Sequence, residues 1–188
     1  MKNTEKRTNK KADLRIRKTE AAIKNAFIEL RAGKPLEKIT VKELCALALI
    51  NKSTFYTHYE DIYALSEAIE QETVASIISS IDHLRDYTPE NSDAFTRELC
   101  LAFMSQISLI RILFSGTRAG ELVRKVEYQL KKILFDAHPE YKQDPSVNVV
   151  LSYTVYGGYY AFFENRQYGD ATVVDIISQI SSEAMNLL

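Results

Sequence analysis

A chain of 188 residues, 46% hydrophobic and 26% charged, is long enough to bury a sizeable core and too apolar for wholesale disorder. Its net charge of −1 excludes nothing by itself, but residues 1–60 hold 14 Lys/Arg against 7 Asp/Glu (+7), leaving residues 61–188 with 10 against 18 (−8). That asymmetry points to a basic, polyanion-facing domain joined to a body with another task, and against a chain whose charge is spread evenly for solubility alone.

In chain order, MKNTEKRTNKK (residues 1–11) carries five basic residues against one acidic, and reads as a flexible basic arm over residues 1–12. It is either an untidy terminus or an arm that follows a phosphate backbone or enters a minor groove. It has no apolar core of the kind a signal peptide needs. From Asp13 to Ala32, Ile16, Ile23, Phe27 and Leu30 recur with helical period, and Gly33 and Pro35 end the helix. Arg15, Arg17, Lys18 and Thr19 crowd its start. Cations there oppose the helix dipole, so local stability does not explain them, whereas a nearby polyanion does.

Thr40 to Tyr59, TVKELCALALINKSTFYTHY, predicts two short helices joined by a tight turn. Thr40 and Glu43 form a capping box, behind which Val41, Leu44, Leu47 and Ala48 make an apolar stripe. Asn51 caps the second helix, with Phe55 and Tyr59 facing inward. Lys52, Ser53, Thr54, Tyr56, Thr57 and His58 then face out, a donor-rich set almost free of negative charge. Such a helix is a poor core element and suits the major groove of DNA.

Asp61 opens a helical stretch to about Asp86, whose apolar phase slips between Ile69 and Val74. It is either a connecting helix between two bodies or one continuous core helix. Thr88-Pro89 breaks the pattern, Ser92 caps the next helix, and Phe95 to Phe114 keep helical spacing up to a stop at Gly116. Arg118 to Ala137 is another helix. Asp144-Pro145 has the chemistry of an N-cap followed by Pro at the first helical position. Ser146 to Phe163 contains no charge, but its length is marginal and its tyrosines and polar residues argue for a buried helix, with no membrane span. Gly157-Gly158 in its middle implies close approach of another helix or room for a ligand. Gly169 ends that helix, Asp170 caps the last, and Val173, Ile176, Ile177, Ile180, Ala184 and Leu187 stripe it. The fold class is therefore all-α, with no strand pattern and no repeat.

No constellation for catalysis is present in the sequence. There is no glycine-rich phosphate loop, nucleophile elbow or zinc pattern, and His58, His83 and His138 lie far apart, the last two reading as surface residues. No enzyme, cofactor or metal is expected. Cys45 and Cys100, without a metal-ligand pair, read as small buried hydrophobes in a reducing compartment. Phe103, Phe114, Tyr153, Tyr156, Tyr159, Tyr160 and Phe163 can line a small-molecule cavity, pack a core or form a dimer interface.

The segment from about Asp13 to Leu65 resembles the DNA-binding domain of the TetR family of bacterial transcriptional regulators. Lys52-Ser53-Thr54-Phe55-Tyr56-Thr57-His58-Tyr59 is similar to that family's recognition helix, and Ile39-Thr40-Val41-Lys42-Glu43-Leu44 to the helix before it. The resemblance implies a three-helix helix-turn-helix domain over residues 13–60 and a helical regulatory and dimerisation domain over 61–188, about nine helices in all. It implies base contacts from Lys52, Ser53 and Tyr56, phosphate contacts from Thr40, Thr54, Thr57 and His58, aided by backbone amides near Thr40, and DNA binding by Arg17 and Thr19 as well. It also implies a cytoplasmic homodimer built through the last two helices, a palindromic operator in double-stranded DNA, and repression released by a small-molecule effector. An activator of the same family, or a helical interaction protein using the fold without DNA, are the alternatives. Two departures stand out. Leu49 replaces a Gly common at the turn, and Ile62 replaces a Lys that touches a phosphate.

Overall fold

The computed structural model describes residues 2–87, 91–115 and 118–185, with the side chains of 2–12, 83, 119 and 185 left out of the account. Thr88-Pro89, Gly116 and Leu187, and the side chain of His83, therefore lie outside the described residues. The fold is all-α: among the described residues there are nine α-helices and no strand. They are α1 (Lys2–Gly33), α2 (Val41–Leu47), α3 (Lys52–Tyr56), α4 (Ile62–Ser79), α5 (Ser92–Ser105), α6 (Ile107–Leu113), α7 (Ala119–Ala137), α8 (Pro145–Asn165) and α9 (Asp170–Met185). Among the described residues, no helix is long and apolar enough to cross a membrane. The chain divides into two compact units, residues 1–71 and 72–188, and the division falls within α4.

In the first unit, α1 begins at Lys2, so the backbone of the segment read as a flexible arm is helical. The run from Lys2 to Asp13 contains no Gly or Pro to stop a helix, and basic content alone does not break one. Ile23, Ala26 and Phe27 bury the inner face of α1, while Ile16 is 50% exposed, which corrects its placement in the core stripe. The box at Thr40 forms as the spacing predicts. Glu43 N–H donates to Thr40 Oγ1 (3.3 Å), and the Glu43 carboxylate accepts from the Thr40 N–H (3.2 Å). Leu44 and Cys45 are buried and Leu47 is 40% exposed, so the α2 stripe is narrower than its periodicity implies.

Leu49 is the one non-glycine residue with positive φ among those described, at 55°, and its side chain is 92% exposed. The turn thus keeps the left-handed geometry that glycine usually serves, and Leu bears a cost of about 1–2 kcal/mol for it. Leu49→Gly removes that strain, offset by about 0.5–1 kcal/mol from the greater freedom of Gly in the unfolded chain. The expected net gain is up to about 1.5 kcal/mol, read as a higher urea midpoint with an unchanged slope.

Helix α4 is continuous through the phase slip, because buried polar residues fill the gap in the apolar pattern. Ser66 and Glu70 are both buried, and Ser66 Oγ donates to Glu70 Oε1 (2.9 Å). In the second unit, the stretch expected as one helix up to Phe114 breaks at Gln106 (φ −108°, ψ 8°), whose Nε2 donates to Ser76 Oγ on α4 (3.1 Å). Ser92 is the first residue of α5 and Asn91 occupies the cap position, so the Ser92 hydroxyl is buried without a partner. Likewise Asp170 is the first residue of α9, where it holds Arg166 in a two-point ion pair (2.8 and 2.7 Å). Asp144 does cap α8, accepting from Ser146 N–H (2.8 Å) and Val147 N–H (3.3 Å). His138, expected at the surface, is half-buried and stacks on Tyr141 at 5.1 Å.

Helix α9 packs on α5 and α8, and α7 packs on α8. An added Cβ on Gly158 would meet Ile177 Cγ2 at 3.5 Å, so this glycine marks the approach of α8 to α9. Phe103, Phe114 and Tyr159 are buried, with the Phe103 and Tyr159 rings 5.4 Å apart, whereas Tyr153 and Tyr160 are exposed. The aromatic set therefore divides between core and surface. Between α7 and α8 a polar cluster is tied together. Lys131 Nζ donates to Ser152 Oγ (2.7 Å) and pairs with Glu127 (2.9 Å), while Ser152 Oγ donates to Glu127.

Desolvation raises the pKa of Glu127, but hydrogen bonds from Ser152, Lys131 and Tyr156 outweigh it and leave the carboxyl below its ordinary value. A depressed folded-state pKa contributes stability that is present above the unfolded value of 4.5 and lost as pH falls through the folded value. Glu127→Gln should flatten that acid loss of stability, which denaturant melts between about pH 5 and pH 3 would read.

Candidate nucleic-acid interface

The second helix of the two-helix motif, Lys52–Tyr56, has a single buried anchor. Phe55 is fully buried, and its ring meets Tyr56 edge-on at 5.5 Å and Tyr59 at 6.0 Å. Regular helix is confined to Lys52–Tyr56, yet helical hydrogen bonding continues through Thr57 N–H to Ser53 O (3.2 Å) and Tyr59 N–H to Phe55 O (3.0 Å). Thr57 occupies the C-cap position of α3, and His58 lies just past it. Asn51 holds the cap position, but its side chain makes no capping hydrogen bond. The carboxamide expected to cap α3 faces solvent, and backbone geometry alone starts the helix.

With Phe55 fixed inward, the helical period turns Lys52, Ser53 and Tyr56 outward. All three are exposed, Tyr56 to 56%. Thr54 is half-buried and Thr57 exposed, its hydroxyl donating to Thr54 O (2.6 Å). His58 corrects the expectation of an outward side chain. Only 14% of its side chain is exposed, and Nδ1 lies 3.5 Å from the Glu20 carboxylate of α1. A phosphate at this position would have to compete with that carboxylate.

The structure brings α1 and α3 to a common open depression. Arg15, Thr19, Cys45, Leu49, Ile50, Asn51 and Thr54 line it, and a second depression that shares Arg15, Thr19 and Ile50 with it adds Leu14 and Lys18 of α1. Thr19 and Thr54, expected to touch DNA, thus share one surface with two cations, Arg15 and Lys18. Arg17 does not join them, being side-chain exposed and paired with Asp13 (3.2 Å) one turn earlier on α1. The sequence pointed Arg15 and Lys18 toward a polyanion together with Arg17, without separating the two from it or naming them as contact residues. The available signal was their spacing: residues 15, 18, 19 and 22 share a helix face that residue 17 leaves.

Thr40 is differently placed from the expectation. Its hydroxyl donates to Glu43 (2.9 Å), its N–H is taken by the same carboxylate, and Lys34 Nζ closes on Glu43 at 2.6 Å. The hydrogen bond from Lys34, then those from Thr40, hold the Glu43 carboxyl below its ordinary value. A phosphate could use Thr40 only by displacing that carboxylate. Ile62, buried at the start of α4, offers no cation where a Lys would reach the backbone of a duplex.

Cys45 is buried in this unit with its thiol pushed up by desolvation, which makes it an inert packing residue. Among the described residues no group of three His, Cys, Asp or Glu side chains is placed to hold a metal ion. What the arrangement offers is a protruding trio of side chains beside a cation- and hydroxyl-lined depression. No protein-family model matches the chain, and no curated protein matches it.

Proposed function

We propose that this chain is a TetR-type DNA-binding transcriptional regulator, acting as a homodimer on a palindromic operator and released from it by a small-molecule effector. The observation that carries the reading is the posture of α3: Phe55 is fully buried while Lys52, Ser53 and Tyr56 stand exposed. Those three can reach base edges, and Arg15, Lys18, Thr19 and Thr54 supply the cations and hydroxyls that phosphates need. The +7 balance of residues 1–60 adds a field that attracts a polyanion.

Two-fold symmetry places the recognition helices of a dimer about 34–36 Å apart in the binding state, one turn of DNA. An effector that favours a state with another spacing lowers operator affinity by population shift. Repression is the sign that the resemblance favours, and a cytoplasmic location follows from the same reading.

The test is selection of bound sequences from a random duplex pool with the full chain. Recovery of an inverted repeat, bound with an affinity that falls steeply as salt rises, supports the proposal. An unenriched pool overturns it and favours a helical interaction protein.

A further inference from the structure

We propose that Leu49 is itself a DNA contact, an apolar side chain held out from the turn between α2 and α3 to rest on an apolar group of the duplex. That group is the C5-methyl of a thymine or the face of a deoxyribose. The inference rests on the DNA-binding reading above. It adds a contact that the resemblance does not supply, because the glycine common at this position has no side chain to offer.

The first observation is why position 49 is left-handed. Ala48 is the C-cap of α2, and Ile50 N–H donates to Cys45 O (3.0 Å), which closes the helix end through one left-handed residue between them. The apolar contact that accompanies such an ending joins the positions held here by Cys45 and Ile50, and leaves position 49 out of it. The turn therefore uses only the backbone of Leu49, at φ 55°, and glycine would serve it without strain.

The second observation is what the side chain does. It is 92% exposed and so packs on almost nothing in its own chain. A lone exposed leucine needs no explanation, and neither does a left-handed residue at a helix end. Leucine in both roles at once bears the strain and returns no packing. Strain of that kind, with no gain inside the chain, marks a place that meets something else.

The third observation is the setting. Leu49 lines one depression with Arg15, Thr19, Asn51 and Thr54, and the exposed Lys52 and Ser53 follow it by three and four residues. Cations and hydroxyls around an apolar side chain match a duplex, in which sugars lie between the phosphates and thymine presents its methyl in the major groove.

Leu49→Met, Leu49→Asn and Leu49→Gly in the full chain, titrated with the operator recovered from the random pool, test the contact. A role confined to the turn and a role on DNA order these variants oppositely. Asparagine and glycine accept positive φ more readily than leucine or methionine, so a turn role keeps or raises affinity in those two. A contact keeps affinity in Leu49→Met and loses it in Leu49→Asn and Leu49→Gly. Burial of about one methylene per half-site is worth about 4-fold, so the dimer should lose about 15-fold. Leu49→Gly should lose that affinity while its urea midpoint rises, two movements that a structural role does not combine. Deoxyuridine placed at each operator thymine in turn removes only a methyl. A wild-type advantage over Leu49→Asn that disappears at one such position identifies the thymine, and one that persists at all of them identifies the sugar. Wild-type affinity in Leu49→Asn and Leu49→Gly, or an equal loss in Leu49→Met, overturns the contact and leaves the operator reading intact. A pool that yields no operator overturns both.

Discussion

Lys52→Ala and Tyr56→Ala should each leave the protein folded and dimeric while removing its ability to tell an operator from random DNA. Both side chains are exposed, and nothing buried depends on them beyond the edge contact of Tyr56 with Phe55. Truncating them should therefore cost little stability, within the range of about 0.5 kcal/mol usual for surface changes. A well-made base contact is worth about 1–3 kcal/mol of discrimination, and a dimer makes it twice, so about 2–6 kcal/mol of specificity is at stake. That corresponds to a loss of specificity between about 30-fold and more than a thousandfold.

Non-specific binding should survive in both variants, because Arg15, Lys18 and the rest of the +7 balance remain. The readout is a titration of operator and scrambled duplex at two salt concentrations. Lys52→Ala also removes a charge from the protein surface, so its salt slope should fall slightly where that of Tyr56→Ala should not. If both variants kept the wild-type ratio of operator to scrambled affinity, α3 would not be the reading helix.

The parts of this unit legible in the sequence are those fixed by local chemistry at a fixed spacing. Thr40 and Glu43 announce a capping box, and Asp144-Pro145 announces a helix start, because each device closes within one turn and needs no distant partner. The left-handed turn was legible at Leu49 only through resemblance, since nothing about leucine itself predicts φ of 55°. Periodicity identified the buried faces of α1 and α2 but overstated their length. Ile16 and Leu47 sit at the right angle on their helices and lie beyond the reach of a neighbour that would cover them.

Other features depend on partners far away in the chain, and these the sequence did not reveal. His58 looks outward until α1 brings Glu20 beside it, and Gln106, where the helix breaks, gives its amide to Ser76 on another helix. The Glu127 cluster is of the same kind, joining residues on α7 to Ser152 and Tyr156 on α8. Cap positions one residue off, Asn91 for Ser92 and Gly169 for Asp170, reflect adjacent residues that serve the backbone almost equally well.

The posture of α3 has a price that the second large prediction measures. A helix of five residues cannot stand by its own hydrogen bonds, since helices shorter than about 12–15 residues are marginal in water. Its position comes from Phe55, which is fully buried and in ring contact with Tyr56 and Tyr59. Phe55→Ala should destabilise the first unit by about 3–5 kcal/mol, the range for deleting a core aromatic ring. Against a domain stability of about 5–15 kcal/mol, that loss is enough to melt the motif at modest denaturant concentration. Hydrogen exchange resolved along the chain should show lost protection in α2 and α3, together with loss of operator recognition. Lys52→Ala keeps that protection while losing recognition, so the two variants separate a helix that is absent from a helix that is present and cannot read. Should Phe55→Ala retain wild-type protection at Leu44 and Cys45, the anchor would lie elsewhere, and the exposure of Tyr56 would no longer follow from the burial of its neighbour.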